Sequence, residues 1–122
     1  MVKTRPVILC VDDEENPLLL RKLVLQKAGY EVLTATSARE ALEVTDSHEV
    51  DLVLSDHLMP GMSGTELARE VKAHFPKLPV VLISGINEIP VGANVADAFL
   101  SKIEGPGALC KEIATLLTTP RA

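Results

Sequence analysis

Aromatic residues are scarce in this 122-residue chain, which has no tryptophan, one tyrosine and two phenylalanines. Its core must therefore be aliphatic, and it lacks the stacked aromatic side chains that often hold single-stranded nucleic acid. Basic residues are also in deficit, because 12 Lys and Arg stand against 17 Asp and Glu, for a formal net charge of −5. That charge disfavours direct binding to nucleic acid and leaves open a cation site or a basic protein partner.

Cysteines and long apolar runs are few as well. Cys10 and Cys110 lie far apart without the spacing of a metal site, and we expect both to be buried free thiols in a reducing compartment. The apolar run at residues 7–11 leads directly into acidic residues, which does not fit a secretory signal. No stretch of the sequence approaches the length of a membrane span, so we expect a cytoplasmic protein that does not contact a membrane.

Short β-branched runs alternate with longer amphipathic segments along the chain. The runs predict five strands, at residues 6–11, 30–34, 51–55, 79–84 and 97–100. Strict alternation of strands and helices predicts an α/β fold with a parallel sheet and helices on both faces. For a single domain over residues 1–122, five strands favour the doubly wound, flavodoxin-like order 2-1-3-4-5. A ligand cleft then opens beyond the carboxyl ends of strands 1 and 3, where the direction of winding reverses.

Capping residues mark the predicted helix starts. Asn16 followed by Pro17 predicts an N-cap and a first helical position, and capping boxes begin at Ser37 and Ser63. A last helix is predicted from Gly105 onward.

Polar side chains follow four of the predicted strands. Asp12 and Asp13 come after the first strand, Asp56 after the third, Ser84 at the end of the fourth and Lys102 after the fifth. Two carboxylates about 5 Å apart repel each other by roughly 3 kcal/mol at an effective dielectric of 20, so three in a shared cleft need either a cation or a raised pKa. An acidic loop taken alone is only a solvated surface. Together with Asp56 and Lys102, however, the loop forms a candidate Mg²⁺ site of oxygen ligands.

Four segments resemble the receiver domain of two-component response regulators. They are VDDEE at 11–15, LVLSDHLMPGMSG at 52–64, VVLISG at 80–85 and FLSK at 99–102. Any one of these motifs is weak evidence, but four of them in the right order and spacing, each at a strand end, are highly specific. The resemblance covers nearly the whole chain.

The resemblance implies an acceptor and a metal site. Asp56 would accept a phosphoryl group from a histidine kinase or a histidine phosphotransfer protein. Asp13 would bind Mg²⁺ directly and Asp12 would help through water. The backbone carbonyl of Leu58, two residues after the acceptor, would be a further metal ligand.

The resemblance also implies a switch. Ser84 would donate a hydrogen bond to the phosphoryl group, Lys102 would pair with it, and Phe99 would be the aromatic residue that changes rotamer. An acyl phosphate adds close to two negative charges, which can draw these groups inward and move a packed loop. The chain would then act on a downstream protein, as a monomer or a weak homodimer.

Two features depart from the family's pattern. Ile103 stands where the family usually has a proline in a cis bond, so we expect either a trans peptide with a shifted loop or a strained cis bond. The stretch from Ser84 to Lys102 is about one helical turn shorter than usual and contains Pro90 and Gly92. It predicts that the fourth helix is short, displaced or missing.

Two other functions stay open at this stage. One is a degenerate receiver, which would bind its partner without phosphorylation. It is favoured if Ile103 and the short stretch from Ser84 to Lys102 have made the phosphorylation site inactive. A Mg²⁺-dependent phosphatase would be an enzyme with an aspartyl nucleophile, but Leu58 stands where it needs a second carboxylate. His57 follows the acceptor and could be a metal ligand or an acid–base group, although no other histidine is placed to join it. We favour a phosphoacceptor receiver, which is not a conventional enzyme.

Overall fold

A five-stranded parallel sheet forms the centre of the computed structural model, which describes residues 5–85 and 95–118. The strands are β1 (Val7–Val11), β2 (Glu31–Ala35), β3 (Leu52–Asp56), β4 (Val80–Ser84) and β5 (Ala98–Ser101). Their order across the sheet is β2-β1-β3-β4-β5, and every neighbouring pair is parallel. The predicted doubly wound, flavodoxin-like order is therefore confirmed.

Helices cover both faces of this sheet. In the described residues they are α1 (Glu15–Lys27), α2 (Ala38–Ser47), α3 (Gly64–His74) and α4 (Gly105–Thr118). The capping box predicted at Ser63 is confirmed, because the Ser63 side chain accepts the backbone N–H of Glu66 and the Glu66 side chain accepts that of Ser63. At Ser37 the N-cap is confirmed but the box is not, because the Glu40 side chain accepts the N–H of Thr36 instead. None of the helices in these ranges has the length and apolar character needed to cross a membrane.

The predicted start of α1 is wrong. The helix begins at Glu15 with Glu14 at the N-cap, and the cap makes no side-chain hydrogen bond. Pro17 therefore lies in the third helical position rather than the first. The first turn tolerates proline at either position, because its N–H groups have no acceptor within the helix.

Alternation along the strands divides the core into two apolar layers. Leu9 and Val11 of β1 belong to the layer under α2 and α3, whereas Ile8 and Cys10 belong to the layer under α1 and α4. Both faces of the central strand are thus covered, as expected for a parallel sheet. Cys10 is a buried free thiol as predicted, but Cys110 is only half-buried, so that prediction is wrong for Cys110.

The link from β5 to α4 is short. A single 3-10 turn, Lys102–Glu104, leads directly into the helix. No peptide bond in residues 5–85 and 95–118 is cis, so the bond between Lys102 and Ile103 is trans, whereas the loop shift expected with it stays a prediction. A helix between β4 and β5 was predicted to be short, displaced or missing. That segment falls on residues 86–94, which lie outside the described residues.

Candidate metal centre and acceptor site

Three aspartates converge at the carboxyl ends of β1 and β3. One carboxylate oxygen from each of Asp12, Asp13 and Asp56 lies within 4.8 Å of the other two. The register explains this convergence, since Val11 pairs with Ser55, and the residues that follow, Asp12 and Asp56, therefore lie side by side at the carboxyl ends of β1 and β3. Asp12 and Asp56 are buried, whereas Asp13 is exposed. The structure therefore brings together the three acids that the sequence predicted would meet.

The donor atoms of this cluster fit Mg²⁺. All three are carboxylate oxygens, and Mg²⁺ characteristically takes one or two carboxylates while keeping several waters. The exposed Asp13 leaves the cluster open to solvent on one side, so an ion with part of its water shell can enter. The role of the Leu58 backbone carbonyl as a further metal ligand stays a prediction.

Two cations face the three acids. The Nζ atom of Lys102 lies 2.9 Å from Oδ1 of Asp56, and a guanidinium nitrogen of Arg21 lies 2.7 Å from Oδ2 of Asp12. Lys102 thus contacts Asp56 although the peptide bond that follows it is trans. Among these five side chains one negative charge remains in excess. The site is therefore close to neutral.

Arg21 is a residue of this site that sequence analysis missed. It lies on α1 between Leu18 and Leu25, at spacings of three and four, on the face that packs against the sheet. The sequence did contain one signal, a single charged residue on an apolar helix face. Such a charge indicates a partner of opposite charge, because burying it unpaired costs free energy. Helical periodicity alone could not identify that partner as Asp12.

The predicted switch residues lie around the acceptor strand. Ser84 is buried at the end of β4, directly after Ile83, which pairs with Asp56. Phe99 of β5 packs against the layer under α2 and α3, and its ring centroid lies 6.1 Å from that of His57 in an edge-on arrangement. The roles of Ser84 and Phe99 toward a phosphoryl group stay predictions.

His57 is buried between neighbouring side chains. Its Nδ1 atom lies 3.3 Å from the hydroxyl of Thr65 on α3, and its ring lies edge-on to that of Phe99. This placement makes His57 a packing residue next to Asp56 and gives no support to a role as metal ligand.

Gly64 lets the first turn of α3 approach the end of β3. Its N–H donates to the carbonyl of His57 at 2.8 Å. A Cβ at this position would lie 2.6 Å from the carbonyl oxygen of Asp56 and 2.9 Å from the Cα of His57. This close contact holds the backbone of Asp56 and His57 against the first turn of the helix.

A cavity of about 500 Å³ adjoins the acid cluster. It lies between α1, β5 and α4, and both Arg21 and Lys102 line it together with apolar side chains such as Leu20 and Leu109. The two cations therefore border one open space.

Comparison with known proteins gives the same assignment. Residues 8–114 match the family model of the response regulator receiver domain. The transcriptional regulatory protein GlrR of Escherichia coli K12 is 40% identical over 83 residues, which cover 68% of this chain and 19% of GlrR. The sensor kinase CckA of Brucella abortus is 37% identical over 111 residues, which cover 88% of this chain and 12% of CckA. The chain thus spans less than a fifth of the length of these relatives.

A solved structure extends this likeness to three dimensions. The response regulator TrrA of Thermotoga maritima, crystallised in complex with Mg²⁺-BeF, superposes with a TM-score of 0.87 at 34% identity, over 91% of this chain and 98% of TrrA. Because the family model covers most of the sequence and the fold is shared with TrrA, the chain belongs to the response regulator receiver domains of two-component signalling.

Proposed function

We propose that this chain receives a phosphoryl group on Asp56 in a Mg²⁺-dependent step of a histidine–aspartate phosphorelay. One observation carries the proposal: Asp56 lies within a cluster of three carboxylates and has one oxygen 2.9 Å from the ammonium group of Lys102. A carboxylate is a weak nucleophile toward phosphorus. It becomes competent where positive charge offsets the charge on the phosphoryl oxygens.

The transfer requires one bond to form as another breaks. An oxygen of Asp56 would attack the phosphorus of a phosphohistidine, and the P–N bond would break with its electron pair remaining on the donor imidazole. Lys102, already in contact with Asp56, would hold the incoming phosphoryl oxygens, and Ser84 would donate a hydrogen bond to them. When bound between the aspartates, Mg²⁺ supplies further positive charge against the same oxygens.

An exposed apolar patch supports a protein as the phosphoryl donor. Leu19, Leu20 and Leu23 on the outer side of α1 are 54%, 64% and 54% exposed, and Leu20 also lines the cavity beside Arg21 and Lys102. Clustered apolar side chains at a surface typically mark a contact with another protein. This patch suits docking of a histidine kinase or a histidine phosphotransfer protein next to the acceptor.

Mass spectrometry after incubation with acetyl phosphate and Mg²⁺ tests the proposal. We expect a single phosphoryl adduct on the wild-type chain, formed as the P–O bond of the donor breaks and acetate leaves. The adduct should be absent from Asp56→Asn and from wild-type protein treated with a metal chelator. Asp46→Asn, an exposed site on α2, is the matched control and should keep the adduct. A folded wild-type protein that takes no adduct would contradict the proposal and favour a degenerate receiver.

A further inference from the structure

Arg21 is a partly buried cation of the acid cluster for which the transfer chemistry above has no use. Its side chain is only 12% exposed and lies on the apolar face of α1. Burying a guanidinium group costs free energy unless a partner compensates for the lost hydration. The partner is Asp12, whose side chain is 2% exposed and whose Oδ2 atom lies 2.7 Å from Arg21.

Both oxygens of Asp12 are already engaged in this arrangement. Oδ1 accepts the backbone N–H of Glu14 at 2.9 Å, and Oδ2 accepts Arg21. Asp12 is also one of the three acids that converge within 4.8 Å. The same carboxylate is therefore shared between a resident side-chain cation and the predicted metal.

We propose that Arg21 is an internal counter-ion that opposes Mg²⁺ at Asp12 and so lowers the affinity of the site for the metal. The inference rests on the proposed function, because it takes the aspartate cluster as the Mg²⁺ site, with Asp12 acting on the ion through water. With Arg21 the five charged side chains carry one negative charge in excess, and without it they carry two. A dication entering the cluster is repelled by the guanidinium group.

Arg21 acts in this scheme as a positioning residue. It touches Asp12 and is assigned no contact with the phosphoryl group. Its effect is to set the Mg²⁺ concentration at which the receiver becomes competent for transfer.

Calorimetric titration with Mg²⁺ tests the inference on the intact chain. Arg21→Gln removes the charge but keeps a hydrogen-bond donor for Asp12, and Arg21→Met removes the charge with an apolar side chain suited to the surrounding layer. We expect both to bind Mg²⁺ about fivefold more tightly than wild type, or better. Arg21→Lys keeps the charge and should stay within about twofold of wild type. Asp13→Asn, which removes a ligand, should lose most of the affinity.

The expected gain separates electrostatic competition from a structural role. If Arg21 only holds α1 against the sheet, its loss loosens the site, and Mg²⁺ binding weakens or stays unchanged. The rise in melting temperature on adding Mg²⁺ is a second measurement, and it should be larger for Arg21→Gln than for wild type. If Arg21→Gln does not fold, Arg21→Met decides.

Two negative results have different meanings. Equal or weaker Mg²⁺ binding by the charge-removing variants, in chains whose Asp56 still takes a phosphoryl group from acetyl phosphate, would overturn the role of Arg21 alone. The second negative result is a wild-type protein that takes no phosphoryl adduct and also shows no Mg²⁺ binding beyond that of Asp13→Asn. That result would overturn both the role of Arg21 and the proposed function.

Discussion

The thiol of Cys10 shows how one residue reports on the packing behind the site. Cys10 precedes Asp12 by two residues on the central strand, and burial raises the pKa of its thiol from 9.0 to about 12, with the positive charge of Arg21 acting in the opposite direction. At neutral pH the thiol is therefore protonated and unreactive, because the thiolate is the reactive form. Cys110 is only half-buried on α4, so a reagent in solvent can reach it.

Thiol labelling should separate the two cysteines. At pH 8 a disulfide-exchange reagent should modify one thiol of the native chain, Cys110, and both thiols in urea. Native Cys110→Ser should be unreactive, whereas native Cys10→Ala should label like wild type. Rapid labelling of native Cys110→Ser would show that β1 opens to solvent. Because the unfolded thiol titrates near 9.0 and the folded one near 12, only the unfolded chain loses this proton between those values, so stability falls as pH rises through that window.

Residues were predictable from sequence where their position in an element fixed their neighbours. Asp12, Asp13, Asp56 and Lys102 could be placed together because the carboxyl ends of adjacent parallel strands share one edge. Arg21 could not be placed with them. Its helix face was readable, but its contact with Asp12 depends on how α1 lies across β1, which is a matter of tertiary packing.

Elements were predictable to within one or two residues. The strands have apolar runs bounded by turn residues, and each observed strand lies within one residue of its predicted limits. The predicted start of α1 was two residues too late. Asn16 followed by Pro17 is a strong signal for an N-cap and a first helical position, but the first turn also tolerates these residues at its second and third positions. The contact between Gly64 and β3 was not predictable, since it depends on how closely one element approaches another.

Gly64→Ala should destabilise the junction of β3 and α3. A Cβ would meet backbone atoms of Asp56 and His57, which cannot move away without shifting the acceptor strand. We expect a loss of roughly 1–3 kcal/mol in the free energy of unfolding, measured with urea, and slower labelling by acetyl phosphate.

Gly107→Ala on α4 is the matched control for that variant. A Cβ there has no neighbour within 4 Å, so alanine should stabilise the helix by about 0.5–1 kcal/mol. Equal stability of Gly64→Ala and wild type would mean that α3 can move away from the acceptor at no cost.

At the scale of the whole molecule, the parallel sheet gathers negative charge at one end. Strict alternation of strands and helices specified the order β2-β1-β3-β4-β5, and that order brings the ends of β1 and β3 together. The chain already carries a net charge of −5, so repulsion among three acids at one edge lowers the stability of the folded state unless nearby cations offset it. Salt bridges in the described residues bind Asp12 to Arg21 and Asp56 to Lys102, and no salt bridge found there includes Asp13.

Asp13→Asn should therefore stabilise the metal-free protein and destabilise it relative to wild type once Mg²⁺ is present. Removing one of three converging charges relieves repulsion, for an expected gain of about 0.5–1 kcal/mol in urea unfolding with a metal chelator. Glu43→Gln, an exposed site on α2, removes the same charge elsewhere and should change stability by less than about 0.5 kcal/mol. Adding Mg²⁺ at constant ionic strength should reverse the order, because only the chain that binds the ion gains stability from it. If Asp13→Asn is instead less stable than wild type in the chelator, repulsion among the aspartates does not oppose folding, and the electrostatic account of why this site needs a cation fails.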